Sequence, residues 1–101
     1  MDKQLMERFY GHLDMTEMAN LIVGLTMRSV PFKVRSFQGG LQVYDPNFEW
    51  DVICHWGSYG HEDGLLEIMG KYNRNEYDDV EGWLTAEDIL ARMDEEEQEE
   101  D

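Results

Sequence analysis

Residues 48–56 read Phe48-Glu49-Trp50-Asp51-Val52-Ile53-Cys54-His55-Trp56, the most regular alternation in the chain. In an extended backbone Phe48, Trp50, Val52, Cys54 and Trp56 fall on one side and Glu49, Asp51, Ile53 and His55 on the other. That period of two marks a strand with one face on a core. Few charges interrupt the apolar side, so this strand is expected to be central. Toward the N-terminus, Asp45-Pro46-Asn47 reads as a turn and Leu41 to Tyr44 as a second strand. Gly39 and Gly40 supply the positive φ angles of a tight hairpin. Phe32, Val34 and Ser36 alternate with Lys33, Arg35 and Phe37, a first strand with one basic face.

Pro31 forbids a helix through Ser29 and Val30. Before it, Met15, Met18, Ala19, Ile22 and Leu25 recur at helical intervals, and Asp14 followed by Glu17 resembles a capping box, predicting a helix from Met15 to Arg28. Leu5, Met6 and Phe9 suggest a short helix or arm over residues 3–10, a lid on the core. Toward the C-terminus, residues 57–64 read as a loop, and Leu65 to Met69, bracketed by glycines, as a fourth strand. Residues 71–82 are polar and read as an exposed connection. Thr85-Ala86-Glu87-Asp88 is a capping box before Ile89, Leu90 and Met93, so a second helix starts there. The expected fold is α+β in the order αββββα: a small antiparallel sheet of three to four strands, with the N-terminal and C-terminal helices on one face. Residues 1–93 form a single domain. Residues 94–101, with seven acids in eight positions, form an acidic tail, disordered or frayed by self-repulsion.

The chain has 101 residues, enough for one modest core, and 42% of them are apolar, ample for folding despite a net charge of -15. Its charge is unevenly placed. Residues 1–35 carry five basic and four acidic side chains, residues 36–70 six acids and no Lys or Arg, and residues 71–101 three basic and thirteen acidic. Such a field repels nucleic acid and attracts basic proteins. One cysteine, no apolar leader in the first ten residues and no long apolar run together predict a cytoplasmic protein without a membrane span.

Catalytic patterns are absent from the sequence. Cys54, His55, His61 and His12 lack the paired spacing of zinc ligands, and Cys54 and His55 are adjacent on a strand and so face opposite sides. The acids of residues 73–81 lack the calcium-loop register, with Tyr77 where an oxygen ligand is required. Cys54 as a nucleophile needs a base, and its inward orientation favours packing. Gly57, Gly60 and Gly64 lack the following Lys-Ser of a phosphate loop. No catalytic residue, metal or cofactor is expected.

The remaining constellation is one of contact. Glu49, Asp51, Glu62, Asp63 and Glu67 on or beside the sheet, with Glu76, Asp78, Asp79 and Glu81, array carboxylates that match a basic groove built for nucleic acid. Tyr59 and Tyr77, with Tyr44, Tyr72 and Trp83 interleaved among the acids, supply the aromatic anchors on which interface energy concentrates. The same acids also suit a merely solvated face, and Lys33 and Arg35 suit pairing with a neighbouring strand.

The segment Val80-Glu81-Gly82-Trp83-Leu84-Thr85-Ala86-Glu87-Asp88-Ile89-Leu90, the αββββα order and the acidic C-terminus resemble small proteins carried by phages, plasmids and integrative elements of Gram-positive bacteria. In size and charge the chain is similar to anti-CRISPR inhibitors of type II effectors. The resemblance implies a non-catalytic inhibitor in the host cytoplasm. Its partner would be a basic protein, a type II CRISPR effector nuclease, bound with no direct contact to nucleic acid or membrane. The competing expectation is a structural or accessory protein of a mobile element whose acidity only keeps it soluble.

Overall fold

The computed structural model describes residues 13–100, with side chains to Glu97. The arm expected over residues 3–10 and His12 lie outside the described residues, as does Asp101. Helix α1 (Thr16–Met27) leads into strands β1 (Lys33–Phe37), β2 (Gly40–Tyr44) and β3 (Trp50–Cys54). A 3₁₀ turn (His61–Asp63), β4 (Leu66–Gly70), β5 (Val80–Leu84) and helix α2 (Ala86–Glu100) complete the chain. All five strands form one antiparallel sheet in the order β1-β2-β3-β4-β5, with β3 in the centre.

This α+β architecture corrects the expected strand number from three or four to five. The added strand, β5, lies where the sequence suggests an exposed connection. Its alternation is disguised: Ile68 pairs with Glu81 and Leu66 with Leu84, leaving one extra residue between them on β5. A β-bulge of this kind breaks the period of two that marks a strand in sequence.

The hairpin joining β1 to β2 also differs in detail. Its two turn residues are Gln38 and Gly39, at φ 45° and 83°, while Gly40 already belongs to β2 opposite Phe37. Positive φ at both central residues is the hairpin geometry that follows the twist of the strands. Gly40 is glycine for another reason: a Cβ there would sit 1.9 Å from the carbonyl oxygen of Cys54.

The core is the layer between the sheet and the two helices. Trp50, Val52 and Cys54 of β3 point into it with Val43, Leu66, Ile68 and Leu84, against Met18, Leu21 and Leu25 of α1 and Ile89, Leu90 and Met93 of α2. Phe48 does not join them. It precedes the strand at φ 58°, which turns its ring out to stack on Tyr44 at 5.1 Å, and it is 70% exposed.

The helices run side by side in the same direction, tied at three levels. The Glu17 carboxylate accepts the Ala86 N–H at 2.8 Å, so the expected Asp14–Glu17 box is divided. Asp14 takes the Thr16 N–H at 2.9 Å, and Glu17 caps the other helix. In the middle Gly24 admits Leu90, whose Cδ1 would lie 2.2 Å from a Cβ at that position. At the far end Arg28 grips Asp94 through Nε at 2.8 Å and Nη2 at 3.0 Å. Thr85 and Asp88 form the reciprocal box expected at the start of α2, at 2.9 and 3.1 Å. The helix continues through residues 94–100, where the sequence suggests a tail. Cations hold its acidic run: Arg28 on Asp94, Arg74 on Glu95, and Lys71 on Glu96 at 3.0 Å.

Candidate functional site

The carboxylates singled out in sequence separate into three groups in space. Glu81 turns to the helix side, where Arg92 donates to Oε1 at 2.8 Å and to Oε2 at 2.9 Å, and the Arg74 N–H donates to Oε1 at 2.9 Å. That fork holds its carboxyl below the ordinary value of 4.5. Glu67 lies on the sheet face away from the helices, is 8% exposed, and accepts the Tyr59 N–H at 3.0 Å. Both are committed within the fold. Glu49 pairs with Lys71 at 3.4 Å, and Asp51 accepts from Gln42 at 2.9 Å. Gln42 in turn accepts from Arg35, whose guanidinium lies 5.6 Å from both the Phe37 and Tyr44 rings.

The third group stands exposed in two loops at opposite ends of β5: Glu62 and Asp63 in the 3₁₀ turn, and Glu76, Asp78 and Asp79 between β4 and β5. Short polar bonds shape the second loop. Asn73 donates to the Asp78 carbonyl at 3.0 Å and accepts the Asn75 N–H at 2.8 Å, while Asn75 donates to the Val80 carbonyl at 3.1 Å and accepts the Tyr77 N–H at 3.1 Å. Asparagine suits such turns because its short amide mimics a backbone peptide. Tyr77, in the same loop, is 96% exposed.

The first loop is fastened to the bulge of β5. The Trp83 N–H donates to the Tyr59 carbonyl at 3.3 Å, and the two rings stack at 5.5 Å with planes 12° apart. Two glycines permit this approach: a Cβ on Gly82 would lie 2.3 Å from that of Tyr59, and one on Gly60 3.0 Å from the Trp83 Cα. Trp83 sits at φ 57° and is 60% exposed, a strained setting for a bulky residue. The sequence names both aromatics but carries no signal that positions 59 and 83 meet, since the bulge that joins them is a tertiary feature. Tyr72, by contrast, is packed against Trp50 at 6.4 Å, and burial first, then its bond to Glu96, pushes its hydroxyl up to about 12.

His55 and His61 differ in setting: His61 is half-buried in the 3₁₀ turn of the loop, and His55 is buried. His55 is 7% exposed, accepts the Gly57 N–H on Nδ1 at 2.9 Å and meets the Phe37 ring edge-on at 5.0 Å. Burial, then the neighbouring His61, lowers its pKa. Cys54 is fully buried, and its thiol is pushed up to about 11 by burial and then by Asp14. Among the described residues no three His, Cys, Asp or Glu side chains gather into a metal-binding group, and no helix is long and apolar enough to cross a membrane.

A depression of about 540 Å³ lies between the helices and is lined by Glu17, Arg28, Leu90 and Asp94 among others. Three of its charged groups are already engaged within the fold: Glu17 caps α2 and Arg28 holds Asp94. A second, of about 200 Å³, lies beside Tyr59, His61, Glu62, Asp63 and Trp83 and has exposed carboxylates on its rim. No family model, curated protein or solved structure matches this chain.

Proposed function

We propose that this chain is a non-catalytic inhibitor that docks on the basic nucleic-acid channel of an RNA-guided nuclease and blocks guide RNA or target DNA binding. The segregation of its charges carries this reading. Arg28, Lys71, Arg74 and Arg92 are paired with acids on the helix side. Glu62, Asp63, Glu76, Asp78 and Asp79 stand exposed at the two ends of β5, in no ion pair among the described residues, beside Tyr59, Trp83 and Tyr77. Exposed aromatics within an acidic field are what a basic protein surface binds.

Five residues of β5 span about 16 Å at the rise of a strand. Duplex DNA of that length carries roughly nine phosphate charges, so five carboxylates reproduce the path of a nucleic acid more than its charge density. The aromatics therefore have to supply much of the affinity, and the acids steer encounter and register.

Titration of a purified type II effector, with and without guide RNA, tests the proposal. Binding is expected to weaken when guide or target occupies the channel, and to fall about tenfold or more as salt contracts the Debye length from roughly 10 Å to 3 Å. The Glu76→Gln/Asp78→Asn/Asp79→Asn variant should bind more weakly with unchanged melting. Affinity indifferent to guide, salt and this variant would overturn the proposal and leave the accessory protein of a mobile element as the better account.

A further inference from the structure

We infer that the depression between Tyr59, Trp83, Glu62 and Asp63 is a socket for one arginine side chain of the basic partner. The inference rests on the reading of the chain as a binder of basic surfaces and names the group that this end of the surface receives.

Size decides the class of occupant. At about 200 Å³ the depression is below the roughly 300 Å³ at which small-molecule pockets begin. A single side chain is the fitting guest. Its chemistry follows from the walls. Trp83 and Tyr59 stack on each other, so each ring keeps one outer face and the two point opposite ways. A guest lies on one of them, and because the negative face of an aromatic ring attracts a cation, with tryptophan the strongest host, the indole face is the one assigned to it. Glu62 and Asp63 on the rim are exposed carboxylates able to accept a bidentate fork. A planar guanidinium has a group for each kind of wall, its face for an aromatic ring and its N–H edge for a carboxylate. A lysine ammonium is a point charge and uses only one of them well.

The chain shows the same chemistry with its own cations. Arg35 lies 5.6 Å from each of the Phe37 and Tyr44 rings, and the Lys71 ammonium 5.2 Å from the Tyr72 ring. The Tyr59–Trp83 pair holds no such cation among the described residues, although carboxylates border it. The socket is also built in advance. Buried Glu67 holds the Tyr59 N–H, the Trp83 N–H is bound to the Tyr59 carbonyl, and Gly60 and Gly82 allow the loop to lie on the bulge. A preformed site loses little entropy when it is filled.

Titration of the ¹⁵N-labelled full chain with N-acetyl-arginine amide, and separately with N-acetyl-lysine amide, tests this by nuclear magnetic resonance. The expected result is a saturable shift of the Trp83 indole N–H and of the backbone N–H groups of residues 60–64. Arginine should be favoured over lysine by roughly three-fold, the scale of one exposed cation–π contact. Glu62→Gln/Asp63→Asn, which leaves the aromatic pair and its anchors in place, should lower the affinity for arginine with the rest of the spectrum unchanged. Trp83→Ala should abolish the localised shift. Shifts scattered over all acidic segments, equal affinity for lysine, or no change in the Glu62/Asp63 variant would overturn the socket. Because the probe is free arginine, such a failure leaves the effector titration standing, and a failed effector titration leaves this measurement standing.

Discussion

Replacing Glu81 by alanine separates a structural carboxylate from the interface to which its sequence context assigns it. The variant strips Arg92 of two donor contacts, at 2.8 and 2.9 Å, and leaves it only the Tyr72 carbonyl at 2.9 Å, while the Arg74 N–H loses its acceptor. The two side chains are 13% and 23% exposed, so water only partly replaces what is lost. Hydrogen bonds to charged groups contribute about 1.5–3 kcal/mol, and partial exposure sets the expectation near 2 kcal/mol. For a domain of this size that is a fall in melting temperature of about 10 °C. Thermal unfolding followed by circular dichroism at neutral pH measures it. The double variant Glu81→Ala/Arg92→Met should recover part of the loss, because no guanidinium is then stranded. Partner affinity, measured well below the melting point, should change less than about twofold, since rim charges that make no contact matter little. A single variant melting within about 2 °C of the parent, or a double variant worse than the sum of the two singles, would show that the fork does not hold β5 to α2.

Acid should destabilise the fold in a defined window. Glu81, held down chiefly by Arg92, and Glu96, by Tyr72 and then Lys71, have folded pKa values below their ordinary 4.5. The folded state then binds fewer protons than the unfolded one. The stability this contributes is complete above pH 4.5 and is lost as pH falls through the lower folded values. Urea midpoints should therefore drop as pH is lowered below 4.5, and a constant midpoint would contradict the pairing. Cys54, with its thiol pushed up to about 11 and no exposed surface, should resist an aromatic disulfide reagent at pH 8 until urea unfolds the chain. Fast native labelling would mean that the core opens there. Gly82→Ala puts a methyl 2.3 Å from the Tyr59 Cβ, and should cost roughly 1–3 kcal/mol and raise the solvent exposure of Trp83 seen in its fluorescence. An unperturbed variant would show that the bulge accommodates a side chain.

Residues 48–56 made the central strand legible because core and solvent alternate along it, and Trp50, Val52 and Cys54 do face the core. The Thr85–Asp88 box was equally legible, since capping is a local exchange of bonds over three residues. Phe48 and β5 were not. One positive φ turned Phe48 away from its pattern, and one bulge removed the pattern of β5, neither of which leaves a mark in composition. The acids were legible as a class and not as individuals. Glu81 and Asp79 differ little in their sequence surroundings, yet one is gripped by Arg92 and the other stands exposed.

Local physics is what the sequence determined by itself: the two helical segments, the four strands whose alternation is unbroken, the capping box that opens the second helix, and a strong negative field. Hydrophobic period, capping chemistry and net charge depend only on near neighbours or on sums. Which carboxylates are free to meet a partner was decided only by the tertiary structure. It set Glu17 on a helix 69 residues away, closed Arg28 on Asp94 across 66, and brought Tyr59 against Trp83 over a bulge. A charge becomes structural or available according to what the fold places beside it, and that neighbour comes from another part of the chain.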